Sequence, residues 1–138
     1  MNSFIYKIEC MKNKKVYIGK TIYPYGRWKS HLNRLREGTH PVKLLQEDYR
    51  NYGEAAFDFS VICTAEQIVN QSTGKNKDSE EEKRQMAIRK SYLPEYGYNY
   101  RDNYFYPLKD RKLHTIEELQ DKYRKAIEKQ PNDFMEVN

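Results

Sequence analysis

Tyr6 and Tyr17 lie on two short, β-rich stretches, and Lys20 follows the second. Arg27 and His31 are spaced i, i+4, so a helix would put them on one face. Three successive carboxylates, Glu80, Glu81 and Glu82, open a later charged stretch. A positioned base can take a proton from water, cations can stabilise a developing anion, and a carboxylate can hold a divalent metal. Those are the groups that hydrolysis of a phosphodiester requires. A free phenol, with a pKa of about 10, is a poor base near neutrality. Neighbouring cations or a metal would favour its phenolate form and make base catalysis feasible. Other familiar chemistries lack their residues. There is no phosphate-binding glycine loop, no Cys-x-x-Cys pair and no Ser or Cys nucleophile motif, and the three histidines are too scattered for a metal cluster.

Hydrophobic periodicity supplies the elements that must hold these groups. Phe4 to Cys10 alternates, with Phe4, Tyr6, Ile8 and Cys10 on one side. A short polar connection over residues 11–15 leads to a returning strand, Val16-Tyr17-Ile18-Gly19, so the pair is an antiparallel hairpin. Pro24 suits the first turn of a helix and Gly38 its stop. Between them Trp28, Leu32 and Leu35 form an apolar seam beside a stripe of Arg27, His31 and Arg34. A second helix is expected over 41–52, with Val42, Leu45, Tyr49 and Tyr52 at helical spacing. A third strand is expected over 57–63, then a polar loop over 70–79 and a charged helix over 79–92. Thr115 with Glu118 reads as a capping box that opens a last amphipathic helix.

Composition bounds the rest. A length of 138 residues suits one domain, or one domain with a tail. No run of apolar residues is long enough to span a membrane. Two cysteines are too few for a disulfide scaffold or a structural zinc site. Without an export leader, the expected setting is the reducing cytoplasm of a bacterial or phage-infected cell. Residues 1–50 hold eleven Lys+Arg against four Asp+Glu, and the rest of the chain carries no positive excess. That concentration suits a face that meets a polyanion. Thirteen of the nineteen aromatics are tyrosine, which can close a small core and keep a hydroxyl at its edge.

Phe4-Ile5-Tyr6, ten further residues and Tyr17-Ile18-Gly19 together resemble the signature of the GIY-YIG nuclease family. Lys20-Thr21, Arg27-Trp28-x-x-His31, Leu44-Leu45-Gln46, Tyr52-Gly53, Phe57 and Gly97-Tyr98-Asn99 continue the resemblance in order over about residues 3–100. It is closest to the catalytic domains of phage-type homing endonucleases. The chain departs in two places. Phe4 replaces the first motif's usual glycine, and the glutamate helix lacks the family's common Trp-Ile. The register of the glutamate therefore rests on Met86, which falls at i+4 from Glu82; Glu81, with Ile88 at i+7, is the alternative.

The resemblance implies an α/β (α+β) fold, a small three-stranded and mainly antiparallel sheet flanked by helices. It also implies metal-dependent hydrolysis of DNA. Glu82 would hold Mg²⁺ or Mn²⁺ on the scissile phosphate. Arg27 would stabilise the phosphate in the transition state, with Lys20 adding positive charge. Tyr6 or Tyr17 would be the base, with Tyr6 preferred, and His31 would polarise water or contact phosphate. Gly19 would permit close backbone approach, and Asn99 would support the tyrosine or the metal shell unless it merely forms a turn. Arg34 and His40, with Lys43 behind them, complete the expected substrate contacts. The reading alongside is a catalytically weak nucleic-acid-binding module on the same fold; a plain interaction protein is a third. Residues 1–105 would form the nuclease domain. Residues 106–138 would form an extension whose helix offers a surface for a homodimer contact, with too little chain for extensive base readout.

Overall fold

Residues 2–10 carry apolar side chains on both faces of an extended chain, the pattern of a strand covered on two sides. This strand, β1 (Asn2–Cys10), is the centre of a three-stranded sheet in the order β2-β1-β3, with β2 at Val16–Thr21 and β3 at Phe57–Glu66. Both pairings are antiparallel. The computed structural model describes residues 1–100 and 116–128. The helices are α1 (Pro24–Glu37), α2 (Lys43–Tyr52), α3 (Lys77–Arg89) and α4 (Ile116–Glu128), with a 3₁₀ turn at Glu54–Ala56. The expected fold class is the one observed.

The β1–β2 turn is made by local polar bonds. The Lys15 amide donates to Asn13 Oδ1 at 3.0 Å, and Lys14 takes a positive φ of 66°. The register then sets Tyr6 opposite Gly19 and Ile8 opposite Tyr17. On one face of the sheet Tyr6, Ile8 and Cys10 pack with Leu35 of α1, Leu45 of α2, Val42 and Tyr98. On the other face Ile5, Ile18, Ile62 and Cys63 pack with Met86 of α3. The sheet thus lies between α1 and α2 on one side and α3 on the other. An irregularity in the β1–β3 ladder falls between Ile5 and Tyr6, where the two faces diverge.

Helix ends follow their sequence signals where those are strong. Pro24 opens α1, and Gly38 closes it with a left-handed φ of 78°. Other expectations shift. Residue 41 precedes α2, which begins at Lys43, because the extended Val42 caps it. Strand β3 runs to Glu66, three residues beyond the expected end. Helix α3 starts at Lys77, inside the stretch read as a polar loop, and stops at Arg89 with Lys90 left-handed. Tyr52, expected in the core, is exposed, and Tyr49 is half-buried with its hydroxyl on Glu54.

The segment after α3 returns to the open edge of β2. Tyr98 N donates to Val16 O at 2.9 Å, and Val16 N donates to Tyr96 O at 3.2 Å. Tyr98 is fully buried and donates its hydroxyl to Asp48 at 2.6 Å. Helix α4 packs on α3 through Tyr123, which stacks on Tyr92 with ring centroids 4.2 Å apart. Thr115, Tyr104, Tyr106 and the boundary expected near 105 lie outside the described residues.

Candidate active site

Tyr6 projects from the central strand toward α1, and its phenol occupies the space that a side chain at position 19 would need. A Cβ on Gly19 would overlap the ring and hydroxyl of Tyr6. The glycine is accounted for by Tyr6, not by a substrate approaching the backbone. Phe59 and Tyr17 hold the ring at 5.0 and 6.3 Å between centroids.

The hydroxyl of Tyr6 ends a chain of buried hydrogen bonds. The amide of Val42 donates to His40 Nδ1 at 3.1 Å, so that nitrogen carries no hydrogen. A neutral His40 therefore has its proton on Nε2 and donates to His31 Nδ1, 2.8 Å away. His31 in turn has its proton on Nε2 and donates to Tyr6 Oη at 2.8 Å. Both imidazoles are neutral at physiological pH. Burial, followed by repulsion from His40 when that ring is protonated and from the charges of Arg27 and Arg34, lowers His31 to about 3. Burial, then Arg34 and Arg27, lowers His40 to about 4. Gln46 fixes the start of the chain, accepting from the His40 amide and donating to Leu35 O, both at 3.0 Å.

These bonds bear on two expectations. Both ring nitrogens of His31 are committed to Tyr6 and His40, so in this arrangement neither is directed at a phosphate or a water. His31 is also no member of a cationic stripe, being buried and neutral. His40 has both nitrogens engaged and is 1 % exposed, so it supports His31 instead of binding substrate through its nitrogens.

Arg27, three residues into α1, donates Nε to the same Tyr6 oxygen at a long 3.4 Å. Tyr6 Oη thus receives two donors and keeps its own hydrogen for a third partner. The Tyr6 bond raises the Arg27 pKa, with the nearby Tyr6, Tyr17 and Glu82 adding to the effect. Arg27 accordingly stays a cation, and it faces Glu82 across the site.

The three glutamates of α3 have three different surroundings. Glu80 accepts from Asn70 Nδ2 at 3.0 Å. Glu81 is fully buried and accepts from Gln85 at 2.9 Å and from Arg84 at 3.4 Å. Among the described residues Glu82 has no hydrogen bond or ion pair, and it is partly exposed. Burial pushes its carboxyl up to about 6; Lys20 opposes the rise, Asp78 adds to it and Arg27 opposes it. No group of three His, Cys, Asp or Glu gathers to hold a metal among the described residues. A single unbonded carboxylate fits Mg²⁺ or Mn²⁺, which keep several waters and take substrate oxygens as ligands.

Lys20 lies opposite the start of α3, 2.6 Å from Ser79 Oγ and 3.5 Å from Asp78. Part of its charge is already matched there. Asn99 spans the edge of β2, accepting from Ile18 N at 2.8 Å and donating to Ile18 O at 3.0 Å. Both polar atoms of its amide are engaged by the Ile18 backbone. Lys43 is exposed at the start of α2.

A model of the GIY-YIG catalytic domain matches residues 2–84. The chain belongs to the GIY-YIG family. Among solved structures it is similar to the catalytic domain of the homing endonuclease I-TevI. The likeness is 26 % identity and a TM-score of 0.55, over 69 % of this chain and 96 % of that one. A variant of the intron endonuclease I-TevI catalytic domain with one glutamate changed to alanine is similar too. It shows 26 % identity and a TM-score of 0.51, over 83 % of this chain and all of that one. No curated protein matches.

Within this GIY-YIG domain, Gln46 and Asp78 are polar residues that sequence reasoning did not assign. Gln46 belongs to the Leu44-Leu45-Gln46 block, and its wholly buried amide, bonded to His40 N and Leu35 O, explains why a glutamine is there. Asp78 is 3 % exposed and joins three elements, accepting from Ser3 Oγ at 2.7 Å and pairing with Lys20. An acidic residue in the first turn of a helix was its only sequence signal.

Proposed function

We propose that this domain is a metal-dependent DNA endonuclease that hydrolyses phosphodiesters by attack of water. The observation that carries the reading is the placement of Arg27 between the Tyr6 oxygen and the unbonded Glu82 carboxylate. Membership of a nuclease family, the likeness to an endonuclease domain and the basic first fifty residues support it.

In this mechanism Arg27 binds the scissile phosphate through its planar fork. Its 3.4 Å bond to Tyr6 is weak enough to be exchanged for a charge-assisted bond to phosphate. That exchange uncovers the Tyr6 oxygen, which is otherwise wholly buried. Tyr6 acts as the phenolate that neighbouring cations favour: its own hydrogen passes to solvent first, and it then takes the proton of the attacking water while the neutral His31 continues to donate to its oxygen. Tyr17, half-buried beside His31 with ring centroids 5.5 Å apart, orients the water. Lys20 adds positive charge at the end of β2. Glu82 would hold Mg²⁺ or Mn²⁺, and such an ion, when bound, neutralises charge on the phosphate.

The test is cleavage of supercoiled and linear DNA with Mg²⁺ or Mn²⁺, comparing the unaltered protein with Arg27→Ala and Glu82→Ala. Metal-dependent cutting that both changes abolish is expected. Binding without cutting would instead support a nucleic-acid-binding module on the same fold. Cutting that neither change affects would overturn the site.

A further inference from the structure

Helix α1 borders a cavity of about 170 Å³ whose lining includes no residue of α3. Arg27, Ser30 and Arg34 line it from α1 at i, i+3 and i+7, which is one face of the helix. Tyr17 and the rings of His31 and His40 line it as well. Among the described residues no carboxylate borders it. Among the described residues the side chains of Ser30 and Arg34 have no hydrogen bond or ion pair. At roughly 30 Å³ for each water, the space holds about six waters. That is room for one tetrahedral oxyanion and too little for a nucleobase with its sugar.

The positive charge around this space is not matched from within. Both buried imidazoles feel Arg34 and Arg27 as depressing influences. An unmatched arginine, a serine hydroxyl and a tyrosine at one cavity make a recognition site for phosphate oxygens, since guanidinium binds them in a fork and hydroxyls donate to what remains.

We propose that this cavity is a second anion subsite, which takes one phosphate group through Arg34 and Ser30. On the nuclease reading given above, that group is the phosphodiester next to the scissile one. The subsite would then fix the strand on both sides of Arg27's position and set which bond reaches Tyr6. Free orthophosphate presents the same oxygens and is the other source of the ligand.

Orthophosphate binding is measured first, by NMR amide shifts in EDTA at low ionic strength, for the unaltered protein, Arg34→Ala, Arg34→Lys and Ser30→Ala. Saturable shifts at residues 30–42 are expected, with affinity lower by about tenfold to hundredfold in Arg34→Ala and partly restored in Arg34→Lys. This readout needs neither metal nor cleavage, so it stands apart from the nuclease reading. Absence of saturable shifts, or an Arg34→Ala that binds orthophosphate equally well, would overturn the subsite. The second arm uses a DNA whose cut position has been mapped, with single neutral methylphosphonates flanking it. One flanking position should slow single-turnover cleavage by about tenfold, and Arg34→Ala should lose nothing further there. If no flanking position matters while orthophosphate binds, the strand assignment falls and the free anion is the occupant.

Discussion

On the α1 side of the site, Tyr6, His31, His40 and the Val42 amide are joined atom to atom. On the α3 side, Glu82 meets Arg27 and Lys20 only through their charge. The first wall is pre-organised: burial keeps both histidines neutral, and one backbone amide dictates which nitrogen of each carries the proton. The second wall is left open, with a carboxylate that burial makes reluctant to ionise. A site divided in this way fixes its proton-handling groups before substrate arrives and leaves its charge to be completed by what binds. Changes in the first wall should therefore damage fold and activity together. Changes in the second should separate them.

The largest expected effect is on turnover. Arg27→Ala or Glu82→Ala should slow single-turnover cleavage by about 10²- to 10³-fold, the usual loss when one stabilising group is removed. Circular dichroism should show both variants folded. A comparable loss in an unfolded Glu82→Ala would erase the contrast between the walls.

Next in size is His40→Leu. It removes the acceptor of Val42 N and the donor to His31 Nδ1, so buried polar groups lose their partners. Each such group costs about 1–3 kcal/mol, which urea denaturation would read directly. Cleavage should also fall, and its pH profile should change, because His31 could then adopt either tautomer. A variant as stable as the unaltered protein would show that the histidine chain is packing alone.

The same chain gives the fold an acid limit. His31 at about 3 and His40 at about 4 lie below the free imidazole value of 6.5. As pH falls below 6.5 the unfolded chain takes up protons that the fold refuses, so stability declines until the folded groups titrate in turn. The slope is about 1.4 kcal/mol per pH unit for each histidine. Denaturation midpoints between pH 7 and 4.5 should show it, and His40→Leu should flatten it.

The smallest effect has the opposite sign to its neighbours. Glu82 is raised from 4.5 to about 6, so the fold holds a proton that the unfolded chain has already lost, and stability drops as pH rises through that window. Glu82→Gln in EDTA at pH 7.5 should therefore stabilise the domain, by about 1–2 kcal/mol, while cleavage is lost. A destabilised Glu82→Gln would mean that the carboxylate has a structural partner after all.

Much of this was readable from spacing. The alternation at Tyr6, Ile8 and Cys10, Pro24 and Gly38 at the ends of α1, and the run of ordered motifs located the sheet, the helix and Arg27. Met86 at i+4 favours Glu82, which among the described residues is the one of the three glutamates without a hydrogen bond or ion pair. What spacing could not show is which polar groups are spent on one another. His31 and Arg27 share a helical face, yet one is a buried link and the other a cation, because His40 arrives from outside α1. Asn99 looked like a site residue from its motif, but its partner lies 81 positions away on β2. The start of α3 was missed since Lys77 and Asp78 are polar, and Asp78 is buried only because Ser3 and Lys20 meet it there.

Asn99 has a consequence for where the domain ends. Strand β2 is one of the two outer strands of the sheet, and such a strand offers its amides and carbonyls to any other chain. Residues 96–99 answer that offer with Tyr96 O, Tyr98 N and both atoms of the Asn99 amide. The family match stops at residue 84, twelve positions short of the start of this cover. A chain cut at the end of the match would keep Tyr6, Arg27 and Glu82 and still expose a strand ready to pair with its own copies. The solubility of the domain and its catalytic motifs thus have different endpoints in the sequence.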